Sequence, residues 1–593
     1  MVARPISGVP TLRTTKAVQV LKRHRSAIVA IAIYAALTVV AFWDAWTLGL
    51  SDHAIAGGGD PAASMWFLTW APYALLHAHN PLLSDYGNYP YGINMLMNTS
   101  TLTLGVLAAP ITLLFGPVAS FNLVETAGML LSASAAYALA CRFTQWRPAA
   151  FAAGLLYGFS PYMVAAGLGH LMTLCVFIPP LALLLVHDIT VRQPDHHPVV
   201  RGAILGVLLV GQFFISTEVF AGLVIFMCAV IVLVAVMGPR ELSSRLRYAT
   251  VAFATTAVVG IVLLAYPIWL IFDGPGHVVG PLQADPQRYS ADLLGPLVPG
   301  RLQRLSTSSS VHLSAGFGGN VTENGSYLGL PLVAVLVAGV IALWRTAWVR
   351  IAAVLCASAF VLSLGARLRV DNHKVAIPLP ETVLGKLPLL SSALPVRFSL
   401  YVVLFASLIL AAVLERVHQL VRGRLLSVVL PALLGAAVFV PLIPTWPYPV
   451  VATPVPQYFT SAVDAIPPNS VVLLYPFPDQ VNSVPERWQA STYLRFKIVG
   501  GRFNVAQPGT DALVSSLRSE TDVVLSALLS GSPLPRSTAL KDQVEGELRK
   551  WSVHYVVAIP STTNRSVAIP YLSWLLGRPP AHVAGAFVWY DWQ

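Results

Sequence analysis

Long apolar runs, separated by short basic segments or by longer polar loops, recur along the first three quarters of the chain. Each run approaches the length of about 20 residues that a helix needs to cross the hydrocarbon core of a bilayer. The pattern predicts an α-helical polytopic membrane protein with about eleven transmembrane helices. The predicted helices lie at residues 27–47, 119–141, 149–167, 171–187, 202–217, 219–238, 249–272, 327–344, 349–365, 397–415 and 425–443.

The composition supports this class. Of the 593 residues, 56% are hydrophobic and 11% are charged, and the mean hydropathy is +0.68. Soluble globular chains carry roughly 25% charged residues. The net charge of +11 raises the question of nucleic-acid binding, but the basic residues stand in short clusters between apolar runs. That pattern is typical of cytoplasmic loops rather than of a phosphate-binding stripe, so no nucleic-acid partner is predicted.

A further apolar run, residues 102–116, decides the predicted topology because it is short and contains Pro110. If this run does not cross the membrane, the basic clusters between the other runs all fall on one side, as the positive-inside rule requires. If it does cross, every cluster after the N-terminal one falls on the opposite side. We therefore expect 102–116 to be a re-entrant or surface helix. The clusters are Arg142/Arg147, Arg192/Arg201, Arg240/Arg245/Arg247, Arg345/Arg350 and Arg416/Arg422/Arg424.

This topology describes a multi-pass protein of the plasma membrane, with a basic cytoplasmic N-terminus (residues 1–26) and a transmembrane domain (residues 27–443). No A-x-A-like cleavage site follows the first apolar run, so we expect that run to be retained rather than removed as a signal peptide. Residues 444–593 are placed on the extracytoplasmic side. Long loops are usually functional, and the predicted outside loops are 48–118, 273–326 and 366–396.

The tail, residues 444–593, is predicted to be an extracytoplasmic α/β domain that follows a Pro-rich stalk. The stretch SVVLLYPFP (470–478) is typical of a buried strand, and PERWQASTYLRF (485–496) of an amphipathic helix that opens on proline. Another helix is expected in TALKDQVEGELRKW, and further strands in VHYVVAIP and AGAFVWYDW. The tail has no glycine-rich phosphate loop or nucleophile motif. All four cysteines of the chain lie in apolar runs, so neither a disulfide framework nor a zinc site is predicted. The sequence identifies no metal-ligand residues and no certain cofactor.

The first outside loop contains the stretch GGGDPAASMWFLTW, in which Asp60 precedes a Trp-rich apolar helix. Asp before Pro is a good N-cap followed by a good first helical residue, and the helix is typical of one that lies along a membrane surface. A carboxylate at the membrane surface is also suited to remove a proton from a substrate hydroxyl. The two roles can coexist, and the residue types alone leave both open.

One N-terminal span followed by a large outside loop with an acidic residue and surface helices resembles the GT-C membrane glycosyltransferases, including the cell-envelope enzymes of mycobacteria and other actinobacteria. The resemblance covers the spans between about 27 and 443, and its most specific motif is Asp60 in GGGDP. It implies an inverting hexosyl- or pentosyltransferase that moves a sugar from a polyprenyl-phosphate donor to a cell-envelope glycan or lipid acceptor at the outer face of the plasma membrane. Asp60 would be the general base.

The departing phosphate needs positively charged partners, and arginine suits this role best. Arg397 lies where an outside loop enters a span and is the first candidate, with a snorkelling arginine as the alternative. Arg288, in the loop DPQRYSADLL, is the second candidate. His170 lies at an outside junction between two spans and is suited to bind the lipid phosphate or a sugar hydroxyl, although an ordinary interfacial histidine fits the pattern as well.

Four further residues are candidates for substrate binding. Glu218 is the only acid between residues 202 and 237, and an acid at membrane depth is a functional-site hypothesis, although it also fits the first turn of a helix. Glu323 and Tyr327 lie in the loop GNVTENGSYLGLP, where an ordinary loop role is the alternative. Asp292 lies in the preceding part of the same outside segment. We expect the polar candidates to converge on one outside cavity: Asp60, His170, Glu218, Asp292, Glu323 and Arg397.

Two other functional classes stay open. A transporter or flippase of lipid-linked glycan intermediates predicts paired charges and broken helices in mid-membrane, with inverted repeats. Here the buried charges are few and lie at one face, and no repeat is visible. A non-catalytic membrane scaffold of the same fold is the other alternative, because the second acid that many GT-C members carry beside the first is missing. The predicted partners are the lipid-linked donor, the acceptor and membrane lipids, and a requirement for a divalent cation is left open.

Overall fold

A computed structural model describes residues 11–56, 59–193, 197–237, 239–282, 285–387, 389–506, 512–514 and 519–592. Side chains are described from Arg25 onward, except those of residues 239–244 and 514. The first ten residues of the predicted basic N-terminus, the side chains of residues 11–24, and two of the three glycines that precede Asp60 therefore lie outside the described parts. The helices in the first 443 residues are α1 (Thr11–Ala41), α2 (Trp43–Leu48), α3 (Asp60–Leu76), α4 (Leu102–Leu107), α5 (Ala109–Ala140), α6 (Arg147–Gly158), α7 (Pro161–Ala166), α8 (Leu171–Leu174), α9 (Ile178–His187), α10 (Pro198–Ile215), α11 (Thr217–Met237), α12 (Pro239–Phe272), α13 (Ser308–Ala315), α14 (Leu330–Leu343), α15 (Ala347–Ser363), α16 (Glu381–Leu384), α17 (Ser399–Leu420) and α18 (Leu426–Phe439).

The long apolar helices coincide with the runs that the sequence predicts to span the membrane. Four apolar helices of the described chain are shorter: Arg25–Ala41, Leu330–Leu343, Ala347–Ser363 and Leu426–Leu442. The protein is thus mostly helical and carries several membrane helices, while the count of eleven spans remains a prediction. Seven helical segments of the described chain are long and apolar enough to cross a bilayer: Ala109–Ala140, Arg147–Ala166, Leu171–Arg192, Pro198–Ile215, Thr217–Met237, Arg245–Phe272 and Pro395–Leu420.

The apolar run 102–116 does not form one continuous helix. α4 ends at Leu107 and α5 begins at Ala109, and the backbone of α5 breaks again at Gly116, whose φ is 82°. This left-handed region is open to glycine at little cost. The part of α5 that follows Pro117 corresponds to the predicted span 119–141.

Helix α17 is the centre of the membrane domain. It packs against α6, α14, α15 and α18, and its residues from Ser399 to Ala412 are all buried. A helix that is apolar all round belongs in the interior of a bundle. In contrast, α11 and α12 bury only part of their apolar surface and lie at the periphery of the bundle.

The described residues contain thirteen short strands. The two-stranded pair of β1 and β6 is antiparallel and joins the first outside loop to the segment that follows the last apolar helix. The strands are β1 (His53–Ile55), β2 (Leu83–Ser84), β3 (Ile93–Asn94), β4 (Arg367–Val370), β5 (His373–Pro378), β6 (Val450–Ala452), β7 (Val471–Tyr475), β8 (Lys497–Ile498), β9 (Val505–Ala506), β10 (Leu513–Val514), β11 (Tyr555–Ala558), β12 (Ala581–Val583) and β13 (Ala586–Trp589).

A five-stranded sheet organises the C-terminal part of the chain, in the order β12-β13-β11-β7-β8. β7 is parallel to β11 and β8, whereas β13 is antiparallel to β11 and β12. Every residue of β7 is buried, and alternate residues pack into separate apolar clusters on the two faces of the sheet. The accompanying helices are α19 (Gln457–Ser461), α20 (Val484–Ser491), α21 (Glu520–Leu529), α22 (Thr538–Lys550) and α23 (Arg565–Leu575).

The predicted strand 470–478, the helix in TALKDQVEGELRKW and the two later strands are present as β7, α22, β11 and β13. The helix predicted at 485–496 is shorter than expected. It ends at Ser491 because Tyr493 and Leu494 both adopt positive φ angles, of 51° and 55°. This conformation does not continue a right-handed helix. The assignment of residues 444–593 as a separate domain stays a prediction.

The C-terminal part docks on the first outside loop through α20 and α3. The ring of Phe503 lies edge-on to Trp66 and Phe67, with centroid distances of 5.0 and 5.9 Å. The Trp66 indole N–H donates to the side-chain oxygen of Gln489 at 2.6 Å. The position of α3 relative to the membrane surface stays a prediction. Its tryptophans are buried because α20 and the Phe503 segment cover them.

Candidate active site

Asp60 is the first residue of α3, and Pro61 follows it at the helix start. Among the described residues, its carboxylate accepts no capping hydrogen bond from the helix backbone. Instead, one oxygen (Oδ1) accepts a hydrogen bond from Arg502 Nη2 at 2.6 Å, and the other (Oδ2) lies 3.1 Å from His170 Nε2. The capping interpretation of Asp60 is thus wrong, since both oxygens are used by side chains from distant parts of the chain.

The two partners keep Asp60 ionised. Burial raises the pKa of Asp60, but the hydrogen bond and charge of His170 and then those of Arg502 outweigh it and lower the pKa to about 2. The side chain is still 37% exposed. Asp60 is therefore a charged carboxylate that a ligand can reach.

Arg502 is itself held by the C-terminal part of the chain. Its backbone N–H donates to Glu486 Oε1, and its Nη1 donates to the carbonyl oxygen of Gln480. Ser483 Oγ from the same region donates to the carbonyl of Gly59, directly before Asp60, at 2.7 Å. These contacts fix the arginine against the start of α3.

Glu486 is fully buried, and its second oxygen, Oε2, has no hydrogen-bond partner among the described residues. Burial raises the pKa of Glu486 to about 8, although the backbone N–H and the charge of Arg502 act in the opposite direction. Arg502 links Glu486 to Asp60, because it donates hydrogen bonds to both carboxylates. Glu486 lies in the C-terminal part, far from Asp60 in the sequence. It therefore does not form an adjacent Asp-Glu or Asp-Asp pair that a sequence motif would show.

A second charged group contains three of the predicted site residues. Arg397 donates from Nη2 and Nε to the two carboxylate oxygens of Glu323, at 2.5 and 3.2 Å, and from Nη1 to Glu218 Oε2. Glu218 Oε1 also accepts from the backbone N–H of Leu394 at 3.1 Å. All three side chains are at most 15% exposed. We call this group the Arg397 network.

The Arg397 network borders a cavity of about 400 Å³. One wall is apolar and is formed by the ends of α10 and α12, with Phe213, Phe214, Ile271 and Phe272. Other parts of the lining are polar. They include Asn98, Glu218, Lys386, Arg397 and Asn504.

All four segments predicted to lie outside contribute to this cavity: 48–118 through Asn98, 273–326 through His277, 366–396 through Lys386, and the tail through Asn504. These segments therefore lie on one side of the helix bundle. The number of spans and the side of the membrane on which the cavity opens remain predictions.

Asp60 is close to the cavity but does not line it. Met172, two residues after His170, and Asn504, two residues after Arg502, do line it. Asp60 and the Arg397 network are thus two charged groups at the same end of the bundle, and the cavity lies next to both.

Three predicted site residues are elsewhere. The carboxylate of Asp292 accepts hydrogen bonds from the backbone N–H groups of Leu294, Asp371 and Asn372, and so stabilises the turn between β4 and β5. Arg288 is exposed, and neither it nor the buried Tyr327 lines the cavity. Glu218 and Arg397 line the cavity, whereas these three residues do not. Within the described residues, His, Cys, Asp and Glu side chains do not form a group of three or more suited to hold a metal ion.

Several solved structures are similar to this chain. Over 90% of its length, the chain is similar to the cryo-EM structure of arabinofuranosyltransferase AftD from Mycobacteria, a GT-C membrane glycosyltransferase, with a TM-score of 0.52 and 15% sequence identity. This match covers 35% of the AftD chain, so the present chain spans about a third of that protein. The apo oligosaccharyltransferase of Archaeoglobus fulgidus matches with a TM-score of 0.48 and 13% identity, covering 90% of this chain and 69% of the other.

The AftD likeness gives the fold of the chain, and the predicted resemblance to the GT-C superfamily is confirmed at that level. No curated protein sequence matches the chain significantly. The sequence of residues 27–438, more than two thirds of the chain, matches a protein family described as "Domain of unknown function (DUF6311)". The chain belongs to this family, and its membrane domain has the GT-C fold.

Proposed function

We propose that the protein is an inverting glycosyltransferase that uses a polyprenyl-phosphate sugar as donor, at the outer face of the plasma membrane. The acceptor is a glycan or lipid of the cell envelope. The observation that carries this proposal is the ionised and partly exposed carboxylate of Asp60, held by His170 and Arg502 next to an amphiphilic cavity in a GT-C fold.

Asp60 acts as the general base in this proposal. An acceptor hydroxyl within about 3 Å of the carboxylate gives its proton to Asp60 as its oxygen attacks the anomeric carbon. The bond from that carbon to the phosphate oxygen breaks on the opposite side, and the electron pair leaves with the polyprenyl phosphate. The configuration at the anomeric carbon is thereby inverted.

The cavity suits the donor because it has both apolar side chains for the polyprenyl tail and polar side chains for the phosphate. The aromatic ends of α10 and α12 contact the first isoprene units, and the phosphate lies at the polar side near Arg397 and Lys386. Arg397 is already shared by two carboxylates, so the network carries one net negative charge when both are ionised. In this proposal the phosphate replaces Glu218 at Nη1, Glu323 keeps Arg397 in place, and Lys386 adds positive charge.

Arg502 tunes the base, and its replacement gives a pH-dependent prediction. In Arg502→Gln, Asp60 loses one of the charges that lower its pKa, so this pKa rises. A carboxylate whose pKa is depressed in the folded protein is fully ionised above its unfolded-state pKa. It stops acting as a base only when the pH falls through its folded-state pKa. The acid limb of the pH–rate profile for sugar transfer should therefore move to higher pH in Arg502→Gln. Arg549→Gln, at an exposed position of α22, serves as a control, and an unchanged acid limb in Arg502→Gln would argue against tuning by Arg502.

The function itself is tested with the purified full-length protein in nanodiscs. Polyprenyl-phosphate sugars that carry a radiolabelled sugar are supplied with a cell-envelope extract as acceptor source. We expect labelled product and free polyprenyl phosphate in equal amounts. A protein that moves the lipid across the bilayer without cleaving it would be a flippase, and one that does neither would be a scaffold. Both outcomes reject the transferase proposal.

A further inference from the structure

Two further cavities lie at the end of the bundle opposite to the candidate active site. Helix α11 connects the two ends, because Glu218 in its first turn lines the active-site cavity and Met237 at its last residue lines one of the opposite cavities. A helix of 21 residues is about 30 Å long, which is the thickness of the hydrocarbon core. The opposite cavities therefore lie at the other membrane surface.

The two opposite cavities differ in polarity and adjoin each other. One, of about 620 Å³, is lined by polar and basic side chains, among them Arg142, Arg147 and Arg192. The other, of about 530 Å³, lies between α9, α11, α15 and α17 and is lined mainly by Leu, Val, Ile and Phe. Arg142, Phe143 and His187 line both cavities. Together they form one amphiphilic site.

The charges in this amphiphilic site are not balanced. Beside the cavities, the buried Asp188 pairs through Oδ2 with both Arg142 and Arg201, each at 3.2 Å, and the buried Glu415 accepts from the backbone N–H groups of Gln145 and Trp146. Among the described residues, Arg147, Arg192 and Arg245 pair with no carboxylate. Within the part of the chain that the structure describes, the site therefore carries more basic than acidic side chains.

The local backbone brings these groups together. After α9, residues Asp188–Arg192 form one π-helical turn, which ends at Gln193 with a positive φ of 43°. Such turns are rare and are often found at functional sites. The turn places the buried Asp188 and the unpaired Arg192 next to Arg142. In addition, His187 Nδ1 is buried without a hydrogen-bond partner, 3.9 Å from Asp188 Oδ1.

We propose that this site binds one anionic diacyl phospholipid from the leaflet opposite to the candidate active site. The headgroup phosphate is bound by Arg142, Arg147 and Arg192, because arginine binds phosphate oxygens through charge-assisted hydrogen bonds. The acyl chains lie in the apolar cavity along α11 and α15. Basic pockets between membrane helices are a known way of binding anionic lipid headgroups.

The test is native mass spectrometry of the full-length protein, titrated with phosphatidylglycerol or with phosphatidylcholine of the same acyl chains. We expect one phosphatidylglycerol to bind, and phosphatidylcholine to bind much more weakly. Arg147→Gln combined with Arg192→Gln removes two unpaired charges and leaves the Asp188 ion pairs intact. This double variant should weaken phosphatidylglycerol binding by roughly 30-fold, since each basic residue near the surface contributes about a factor of five.

Arg422→Gln combined with Arg424→Gln is the matched control, because both arginines are exposed and follow α17. It removes the same charge outside the cavities and should leave binding unchanged. Val234→Trp fills the apolar cavity without changing the charge, and should also abolish lipid binding. The proposal is overturned if phosphatidylcholine binds equally well, if the two double variants behave alike, or if millimolar inorganic phosphate displaces the lipid.

Discussion

Asp60→Asn should abolish sugar transfer while leaving the abundance of the protein unchanged. The amide is nearly the same size and can still hydrogen-bond to Arg502, so the contact between α3 and the C-terminal part is kept. It cannot accept the proton of the acceptor hydroxyl. General base catalysis typically contributes about 10²- to 10⁴-fold to the rate, and we expect kcat to fall within or beyond this range.

Asp52→Asn is the matched control, because Asp52 is an exposed acid of the same outside loop and lies apart from His170 and Arg502. Its transfer rate should equal that of the unmodified protein. If Asp60→Asn transfers sugar at a near-normal rate in the same assay, Asp60 is not the base. Donor binding should survive the substitution, since the phosphate in our proposal contacts Arg397 and Lys386 instead.

Arg397→Met should have the largest effect on stability. The substitution leaves the carboxylates of Glu218 and Glu323 close together and nearly buried, without their shared cation. Removal of one partner from a buried ion pair typically costs about 3–5 kcal/mol. The melting temperature of the protein in nanodiscs should fall clearly, and transfer activity should be lost.

A triple variant separates the charge effect from a packing effect. When Glu218→Gln and Glu323→Gln are added to Arg397→Met, no buried charge is left unpaired, and most of the lost stability should return. Arg416→Met, at a position outside the network, should leave the melting temperature unchanged. If the triple variant is as unstable as Arg397→Met alone, the network does not stabilise the fold through charge.

The membrane part of the fold could be predicted because its signal is local. A run such as 397–415 has the length and polarity that a bilayer demands, and the structure forms α17 there. The grouping of the four outside segments followed from the basic clusters. The run 102–116 is broken at Ala108 and again at Gly116, while its expected role as a re-entrant or surface helix stays a prediction.

The candidate site could be predicted only in part from the sequence, because its contacts join residues that are distant along the chain. Asp60, His170, Glu218, Glu323 and Arg397 were selected as acids or bases at the ends of apolar runs, and the structure pairs them in two groups.

Arg502 could not be selected in this way, since 442 positions separate it from Asp60 and only the sheet of the C-terminal part brings it there. A lone arginine after two glycines is a weak signal by itself.

Asp292 and the tryptophans of α3 make contacts that could not be read from the sequence, for related reasons. A carboxylate in a loop serves a turn as readily as a ligand, and Asp292 binds three backbone N–H groups. The tryptophans of α3 match a membrane surface and a protein interface equally well. The partner surface, which includes Phe503, lies more than 400 residues away in the sequence.

The most direct measurement is a cryo-EM structure of the protein with a non-cleavable phosphonate analogue of a polyprenyl-phosphate sugar. We predict that the phosphonate lies in the cavity within hydrogen-bond distance of Arg397 or Lys386, with the sugar directed at the carboxylate of Asp60. A lipid bound away from this cavity, with Asp60 turned from the sugar, would contradict the proposed mechanism.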